Sequence, residues 1–343
     1  MTKIAINGFG RIGRGFVRAV IERGKKGERG EKGLEVVAIN DLAPAENLAY
    51  LLKYDTVYGR AAFSVAVEAG TFVIDGKKVA LTQEKDPAKL PWKDMGVDIV
   101  IESTGFFTNG EKAKAHLDAG AKRVVISAPA KGDGVDTVMV GANDAKFDTC
   151  GPITSNASCT TNAVAPVVGI LDEAIGIERA LLNTTHAYTA SQGIVDGIAP
   201  DDFRRGRAGA ANLGPSSTGA AKATALVYPQ FKGKFDGIAV RVPVPSGSIA
   251  DVTFVAKRPT SVEEVNEILS KAAATDRWKR VFSVSSEPLV SSDILATPYG
   301  SIADLTMTRV ADGTLVKVLA WYDNEMGYVH TLVEHVLEVA KRL

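Results

Sequence analysis

Lys3-Ile-Ala-Ile-Asn7, Gly8-Phe-Gly-Arg-Ile-Gly13 and Arg14-Gly-Phe-Val-Arg-Ala-Val-Ile-Glu-Arg23 follow one another without a gap. The first piece is a short β-run and the last repeats apolar residues at helical spacing. Between them the glycines fall as G-x-G-x-x-G. Strand, glycine turn and helix in that order are the fingerprint of a dinucleotide-binding unit, because each glycine answers a separate steric demand. Gly8 permits the tight turn, Gly10 lets the backbone approach a pyrophosphate, and Gly13 lets the helix close on the strand. The amides of Arg11 and Ile12 then face the phosphates from a positive helix end.

A glycine-rich turn alone is weak evidence, but this one has an acidic partner. Leu34-Glu-Val-Val-Ala-Ile-Asn-Asp41 is a second strand, and the Asp41 carboxylate suits ribose hydroxyls while repelling a 2′-phosphate, which favours NAD over NADP. The spacing exceeds the usual ~20 residues. The excess, Gly24–Gly33, is polar and glycine-rich and reads as a solvated surface insertion with no assigned function. Further strands are expected at Thr71–Ile74, Lys78–Thr82, Asp98–Ser103 and Arg123–Ser127, with a helix over Asn109–Ala121. Ser103-Thr-Gly105 and Ser127-Ala-Pro129 put Thr104 and Ser127 at carboxyl ends of strands, where a doubly wound sheet opens its ligand crevice. His116 reads as a surface or packing histidine. Together these predict a Rossmann-type α/β domain over residues 1 to about 157.

At 343 residues the chain is long for one core, so two domains are expected. Hydrophobic residues at 45% and charged residues at 23% are ordinary for a globular protein. Lys plus Arg balances Asp plus Glu at 40 each, so no basic field exists to hold nucleic acid or an anionic membrane. No run approaches the ~20 apolar residues of a membrane span. The N-terminus enters a strand without a signal-peptide layout. Two cysteines make no disulfide framework, which predicts a cytoplasmic protein, and no metal site is expected.

The second half centres on Ser155–Asn162, S-N-A-S-C-T-T-N, followed by a strand-like run that delivers His186. Val164–Gly176 has helical spacing, which puts Cys159 at or just before a helix N-terminus and Pro166 near the first turns. A thiol attacks only as thiolate, a form that a helix N-terminus or an imidazolium supports. A small buried hydrophobe is the other reading of such a cysteine, and these residues alone leave both standing. Strands at Ala180–Tyr188, Gly237–Val244, Ala250–Ala256 and Thr314–Tyr322 alternate with long loops and with helices near Ser216–Tyr228 and Ser261–Ala274. They predict an α+β domain with a mixed or antiparallel sheet over 158–326. An amphipathic helix over 327–343 is expected to pack back on the first domain, with His330 and His335 serving packing or solvent contact.

Asp201-Asp-Phe-Arg-Arg-Gly-Arg207 is either a solvated face or a grip for an anion. Ser216-Ser-Thr-Gly-Ala220 is either an anion site at a helix start or a plain N-cap. Arg241 interrupts an apolar strand, where it needs an anionic ligand or a paired carboxylate.

Taken together, S-N-A-S-C-T-T-N, His186-Ala-Tyr-Thr189, Ser217-Thr-Gly-Ala-Ala-Lys222, Arg241-Val-Pro and Trp321-Tyr-Asp-Asn-Glu-Met-Gly327 resemble the phosphorylating glyceraldehyde-3-phosphate dehydrogenases. Ile6–Gly13 and Leu51-Leu-Lys-Tyr-Asp55 match the same family, so the resemblance spans the chain. It implies that Cys159 attacks the aldehyde of glyceraldehyde 3-phosphate and that His186 supports the thiolate and takes the hydroxyl proton. Thr189 and Arg241 would hold the substrate phosphate. Ser158, Thr160, Arg205, Thr218 and Gly219 would hold the attacking inorganic phosphate. Asn324 would bond the nicotinamide carboxamide of NAD, and a homotetramer is implied. On this reading the arginines are anion ligands. Erythrose-4-phosphate dehydrogenase is the alternative within the class, and a non-catalytic NAD-sensing protein the alternative outside it. The chain departs from the family pattern at Tyr328-Val-His-Thr331 and at Gly193–Pro200. Ala163 stands where many relatives carry a second cysteine, and Cys150 reads as structural.

Overall fold

The computed structural model describes residues 1–26, 33–200 and 202–343. Most of the Gly24–Gly33 insertion and Asp201 therefore lie outside the described residues. The chain divides into two compact units. One comprises Met1–Val138, Asn143–Ala157 and Leu332–Leu343, the other Met139–Ala142 and Ser158–Thr331.

The first unit opens with β1 (Thr2–Asn7), α1 (Arg11–Lys26), β2 (Leu34–Asn40) and α2 (Ala45–Lys53). The short β3 (Tyr54–Asp55) and β4 (Gly59–Arg60) pair with each other, and β5 (Val65–Glu68), β6 (Thr71–Ile74) and β7 (Lys77–Thr82) form a meander. After α3 (Trp92–Met95) come β8 (Ile99–Glu102), α4 (Gly110–Asp118), β9 (Arg123–Ile126), β10 (Asp136–Thr137) and β11 (Ile153–Ser155). The sheet order is β10-β11-β9-β8-β1-β2-β7-β6-β5, with every pair from β10 to β7 parallel. The chain leaves β1 toward β2 and later returns on the other flank as β8. The order therefore reverses between β1 and β8, where a doubly wound sheet opens its crevice. Covered on both faces, β8 and β9 are near-continuous buried apolar runs, as parallel strands must be. Glu102, at the end of β8, is the exception.

The second unit contains α5 (Cys159–Ile175), β12 (Ile177–Ala187), β13 (Gly214–Ser217), α6 (Ala220–Val227), β14 (Phe235–Val242) and β15 (Ser248–Ala256). It continues through α7 (Val262–Ala273), β16 (Phe282–Ser285), β17 (Ser301–Asp304), β18 (Arg309–Ala311) and β19 (Leu315–Tyr322). The chain ends with α8 (Met326–Ala340), whose residues from Leu332 onward belong to the first unit. The sheet runs β13-β14-β12-β15-β19-β17-β16 and is mixed as expected: β12 is parallel to β14 and antiparallel to β15. Helix α5 lies against β12, β15, β17 and β19 on one side and α6 and α7 on others, so it is buried nearly all round. Along β12, Ala180, Leu182, Thr184 and His186 are buried while Leu181 and Asn183 are exposed, the period-2 signature of a sheet covered on one face.

Two local expectations are corrected. Pro166 lies in the third turn of α5, inside the helix. One helical bond is lost there, and packing around a largely buried helix outweighs that cost. The helix expected from Ser216 begins at Ala220, because Gly214–Ser217 pairs antiparallel with Ile238–Arg241 as an edge strand. Pro215 is tolerated on such an edge, and the ladder that orders the segment is non-local.

Candidate active site

In the first unit, Gly8 and Gly13 are glycines for steric reasons. A Cβ on Gly8, at φ +93°, would lie 2.6 Å from the Thr104 amide nitrogen, and one on Gly13 would lie 2.4 Å from the Gly8 carbonyl oxygen. Gly10 faces open space, leaving its backbone approachable. Helix α1 begins at Arg11, so the amides of Arg11 and Ile12 are at its first turn. The Arg11 guanidinium itself forks onto Asp55, giving the Leu51–Asp55 motif a structural role. Asp41 accepts from the Phe9 amide at 2.7 Å and the Ala43 amide at 2.9 Å, tying the glycine turn to the end of β2. A carboxylate has about four acceptor sites, which leaves capacity for ribose hydroxyls. Gly8, Gly10, Asp41 and Thr104 line one cleft of about 360 Å³ together with Asn7, Asn40 and Phe106. Ser127 instead donates to the Glu102 carbonyl at 3.1 Å at the end of β9.

In the second unit, Ser158 is the N-cap of α5: its Oγ accepts from the Thr161 amide at 3.0 Å and meets Thr161 Oγ1 at 2.7 Å. Cys159 is thereby the first residue of the helix, with its Sγ 3.4 Å from His186 Nε2. His186 is buried near the end of β12, and its Nδ1 lies 2.6 Å from the Ala187 carbonyl oxygen. Arg241 on β14 is the register partner of His186. Its Nη1 lies 2.7 Å from Nδ1 and donates to the same carbonyl at 3.2 Å. Among the described residues no carboxylate pairs with Arg241, and its Nη1 is turned to His186 and the Ala187 carbonyl instead.

Burial pushes the Cys159 thiol up from its ordinary value, while the Arg241 charge and hydrogen bonds from Thr160 pull it down. His186 is pushed down to about 4, first by burial and then by the Arg241 charge. Both net shifts favour a neutral thiol–imidazole pair, whose bare ring nitrogen is a base rather than a cation.

The other expected ligands are placed as follows. The Thr160 hydroxyl is buried against Tyr322 Oη at 2.8 Å, and Tyr322 also meets Thr184 Oγ1 at 2.7 Å. Thr218 Oγ1 accepts from the Ala220 amide at 3.2 Å and Gly219 precedes α6, so a cap and an open helix start coexist there. Arg205 Nε donates to Ser216 Oγ at 3.0 Å with Asp202 at 3.5 Å, whereas Arg207 makes an exposed ion pair with Asp196. The arginine run is thus split between half-buried Arg205 and exposed Arg204 and Arg207. Thr189 Oγ1 meets Ser191 Oγ at 2.9 Å. Asn324 Oδ1 accepts from the Gly247 amide at 3.1 Å and Ser248 Oγ at 2.9 Å, while the Ser246 hydroxyl donates to Asp323 Oδ1 at 2.9 Å. Two donors on one oxygen fix the amide orientation and turn its NH₂ the other way, where it can bond a ligand carbonyl.

Sequence reasoning missed Tyr322 and Glu102. His116 and Glu102 are fully buried and 3.0 Å apart, so of the two readings of His116, surface or packing, the packing one holds. The available signal was Glu102 itself, a charge closing an apolar strand, the same anomaly that drew attention to Arg241.

The profile of the glyceraldehyde 3-phosphate dehydrogenase NAD binding domain matches residues 2–110, and that of the glyceraldehyde 3-phosphate dehydrogenase C-terminal domain matches residues 158–324. Proteins named glyceraldehyde-3-phosphate dehydrogenase are similar along the full length. Those from Zymomonas mobilis and Mycobacterium avium are each 50% identical, over 341 and 343 residues, covering 99% of this chain and 99% of their own. That from Clostridium pasteurianum is 47% identical over 348 residues, covering 99% of this chain and 100% of its own. With a capped helix presenting Cys159 to His186 and a glycine turn answered by Asp41, the chain belongs to the glyceraldehyde-3-phosphate dehydrogenase family.

Proposed function

We propose that the chain is a phosphorylating, NAD-dependent glyceraldehyde-3-phosphate dehydrogenase, and that its division of labour follows residues 1–157 for the cofactor and 158–326 for chemistry. The observation that carries this is the thiol of Cys159 at the start of α5, 3.4 Å from His186 Nε2, with Arg241 against the other side of the ring. Cys159 Sγ adds to the aldehyde carbon, and its proton passes through His186 to the resulting hydroxyl of a hemithioacetal. His186 Nε2 then takes the hydroxyl proton as the carbon gives up hydride, leaving a thioester on Cys159. NAD, when bound, supplies the hydride acceptor; Gly8, Gly10, Arg11, Ile12, Gly13, Asp41, Thr104 and Ser127 would hold it, with Asn324 at the carboxamide. Inorganic phosphate attacks the thioester carbon, the C–S bond breaks, and an acyl phosphate leaves while Cys159 recovers its proton from His186.

Thr189 and Arg241 are the ligands proposed for the substrate phosphate. Ser158, Thr160, Arg205, Thr218 and Gly219 are those proposed for the attacking phosphate. The amides at the α5 start and the open start of α6 supply two positive helix ends for this purpose. The hydroxyls of Ser158 and Thr160 must exchange their internal partners to take part.

Mixing the protein with NAD and glyceraldehyde 3-phosphate tests the assignment. A stoichiometric burst of NADH without phosphate and sustained turnover with it are expected. Equal steady rates in both conditions would point to hydrolysis, as in an erythrose-4-phosphate dehydrogenase, and binding of NAD without any burst would point to a sensor. Cys159→Ser should abolish the burst and keep NAD binding.

We propose further that the protein works in the cytoplasm as a homotetramer. No helix among the described residues is long and apolar enough to cross a membrane. Ile194, Val195, Ile198, Phe203 and Leu213 are exposed in the loop after β12, and Leu181, Ile238 and Leu315 on the open face of the sheet, apolar side chains that subunit contacts would cover. Light scattering should give four times the 36.2 kDa chain mass.

A further inference from the structure

Glu102 is a fully buried carboxylate beneath the dinucleotide cleft, and each of its contacts gives it a hydrogen. Its Oε2 accepts from Asn7 Nδ2 at 2.6 Å and faces His116 Nε2 at 3.0 Å. Its Oε1 accepts from the Thr104 amide at 2.8 Å and from the Thr104 hydroxyl. The tautomer of His116 follows from Trp92. The indole Nε1–H, which can only donate, lies 3.1 Å from His116 Nδ1, so Nδ1 is the bare nitrogen and Nε2–H points at Glu102. The Asn7 amide nitrogen, 3.4 Å from Nε2, is then a second donor converging on the same oxygen. An ionised carboxylate, an acceptor at both oxygens, is the species that satisfies four donors; burying it is costly unless all are present.

The orientation this imposes runs across the sheet. With Asn7 Nδ2 committed to Glu102, Asn7 Oδ1 accepts from Asn40 Nδ2 at 2.7 Å, and Asn40 Oδ1 accepts from Thr82 Oγ1 at 2.8 Å and the Glu84 amide at 2.9 Å. One chain of donors thus ties the carboxyl ends of β8, β1, β2 and β7, ending beside Asp41. On its other oxygen Glu102 holds Thr104, and Thr104 is what Gly8 rests against, at a distance only a glycine tolerates. Ser103 Oγ, next to Thr104, donates to the Gly8 carbonyl at 2.6 Å.

We propose that Glu102 is a positioning residue for the adenosine end of the dinucleotide, holding Gly8 through Thr104 and Asp41 through Asn7 and Asn40. The assignment rests on the dinucleotide reading of the cleft. It explains why a buried charge closes an otherwise apolar strand, and why His116, far from the thiol chemistry, is held in one tautomer. Replacing Glu102 by Gln turns one oxygen into a donor. Whichever way the amide sits, it faces either the Thr104 amide or the Asn7 and His116 donors, and one side of the network must let go.

Calorimetric titration of the full chain with NAD, and separately with ADP-ribose, tests this. Glu102→Gln should raise the Kd of both ligands by about the same factor, roughly tenfold or more, the size expected for losing hydrogen bonds to a charged acceptor. Thr104→Val should raise both by a few-fold, less than Glu102→Gln, because it removes one of the four donors on the carboxylate. Phe147→Leu softens the same unit away from the cleft and should leave both affinities unchanged. If Glu102→Gln does not fold, Trp92→Phe, which removes the donor that fixes the His116 tautomer and does not line the cleft, should raise both Kd values a few-fold, and unchanged binding there would overturn the assignment. Unchanged ADP-ribose binding in Glu102→Gln, or an equal loss in Phe147→Leu, would overturn the assignment. Wild-type protein that bound neither ligand would overturn the dinucleotide reading beneath it.

Discussion

His186 and Arg241 stand opposite each other on adjacent parallel strands, 55 residues apart in sequence, with Arg241 Nη1 2.7 Å from His186 Nδ1. One cation therefore acts on both members of the catalytic pair. It pulls the Cys159 thiol down and disfavours a proton on His186. Paired residues of parallel strands project to the same side, so the register itself delivers this coupling.

Arg241→Leu removes that charge. The Cys159 thiol should rise further, and its alkylation by iodoacetamide at about pH 8 should slow. Because the same residue is the proposed phosphate ligand, kcat/KM for glyceraldehyde 3-phosphate should fall by more than about 100-fold, and that for unphosphorylated glyceraldehyde by much less. Equal losses on the two substrates would remove Arg241 from the phosphate site.

Ser158→Ala deletes the cap of α5. The loss should be about 1 kcal/mol in urea unfolding, as for other N-caps. A rise in the KM for inorganic phosphate alongside it would show that the hydroxyl also leaves Thr161 to bind phosphate; stability loss with an unchanged KM would confine Ser158 to capping.

Acid should destabilise the protein through two buried histidines. His335 sits between Thr154 Oγ1 and the Val138 carbonyl and is pushed down to about 4 by burial. His186 is pushed down to about 4 by burial and by Arg241. The unfolded chain protonates both near their ordinary value of about 6.5, the folded chain only near 4, so in that window the unfolded state binds more protons. Stability is then full above about pH 6.5 and falls toward pH 4, by about 3 kcal/mol for each histidine. Urea midpoints measured across this range should show the decline. His335→Gln should be less stable than wild type near neutrality yet show a shallower pH dependence, and an unchanged slope would mean that His335 titrates normally.

Asp41→Asn should weaken NAD by about tenfold or more and narrow the preference over NADP, since it removes the charge that repels a 2′-phosphate. The ratio of kcat/KM for the two cofactors is the measurement. A ratio that stayed at its wild-type value would assign discrimination to other residues.

The amino-acid sequence by itself determined the elements whose causes are local. The glycine turn between β1 and α1, the acidic end of β2, the cysteine at the start of α5 and the alternation along β12 are each written in neighbouring residues, because turn sterics, capping and amphipathic period act over a few positions. Tertiary structure alone decided which distant residues meet. It set Arg241 against His186, turned the Thr160 hydroxyl to Tyr322, made Gly214–Ser217 an edge strand, and brought Asn7, Glu102, His116 and Trp92 into one buried network. The physical reason is strand register. A shift by one residue would send Asn7, Glu102, His186, Arg241 and Tyr322 to the opposite face of their strands, away from the helix residues they meet, and register is settled by the packing of the whole sheet rather than by any stretch within it.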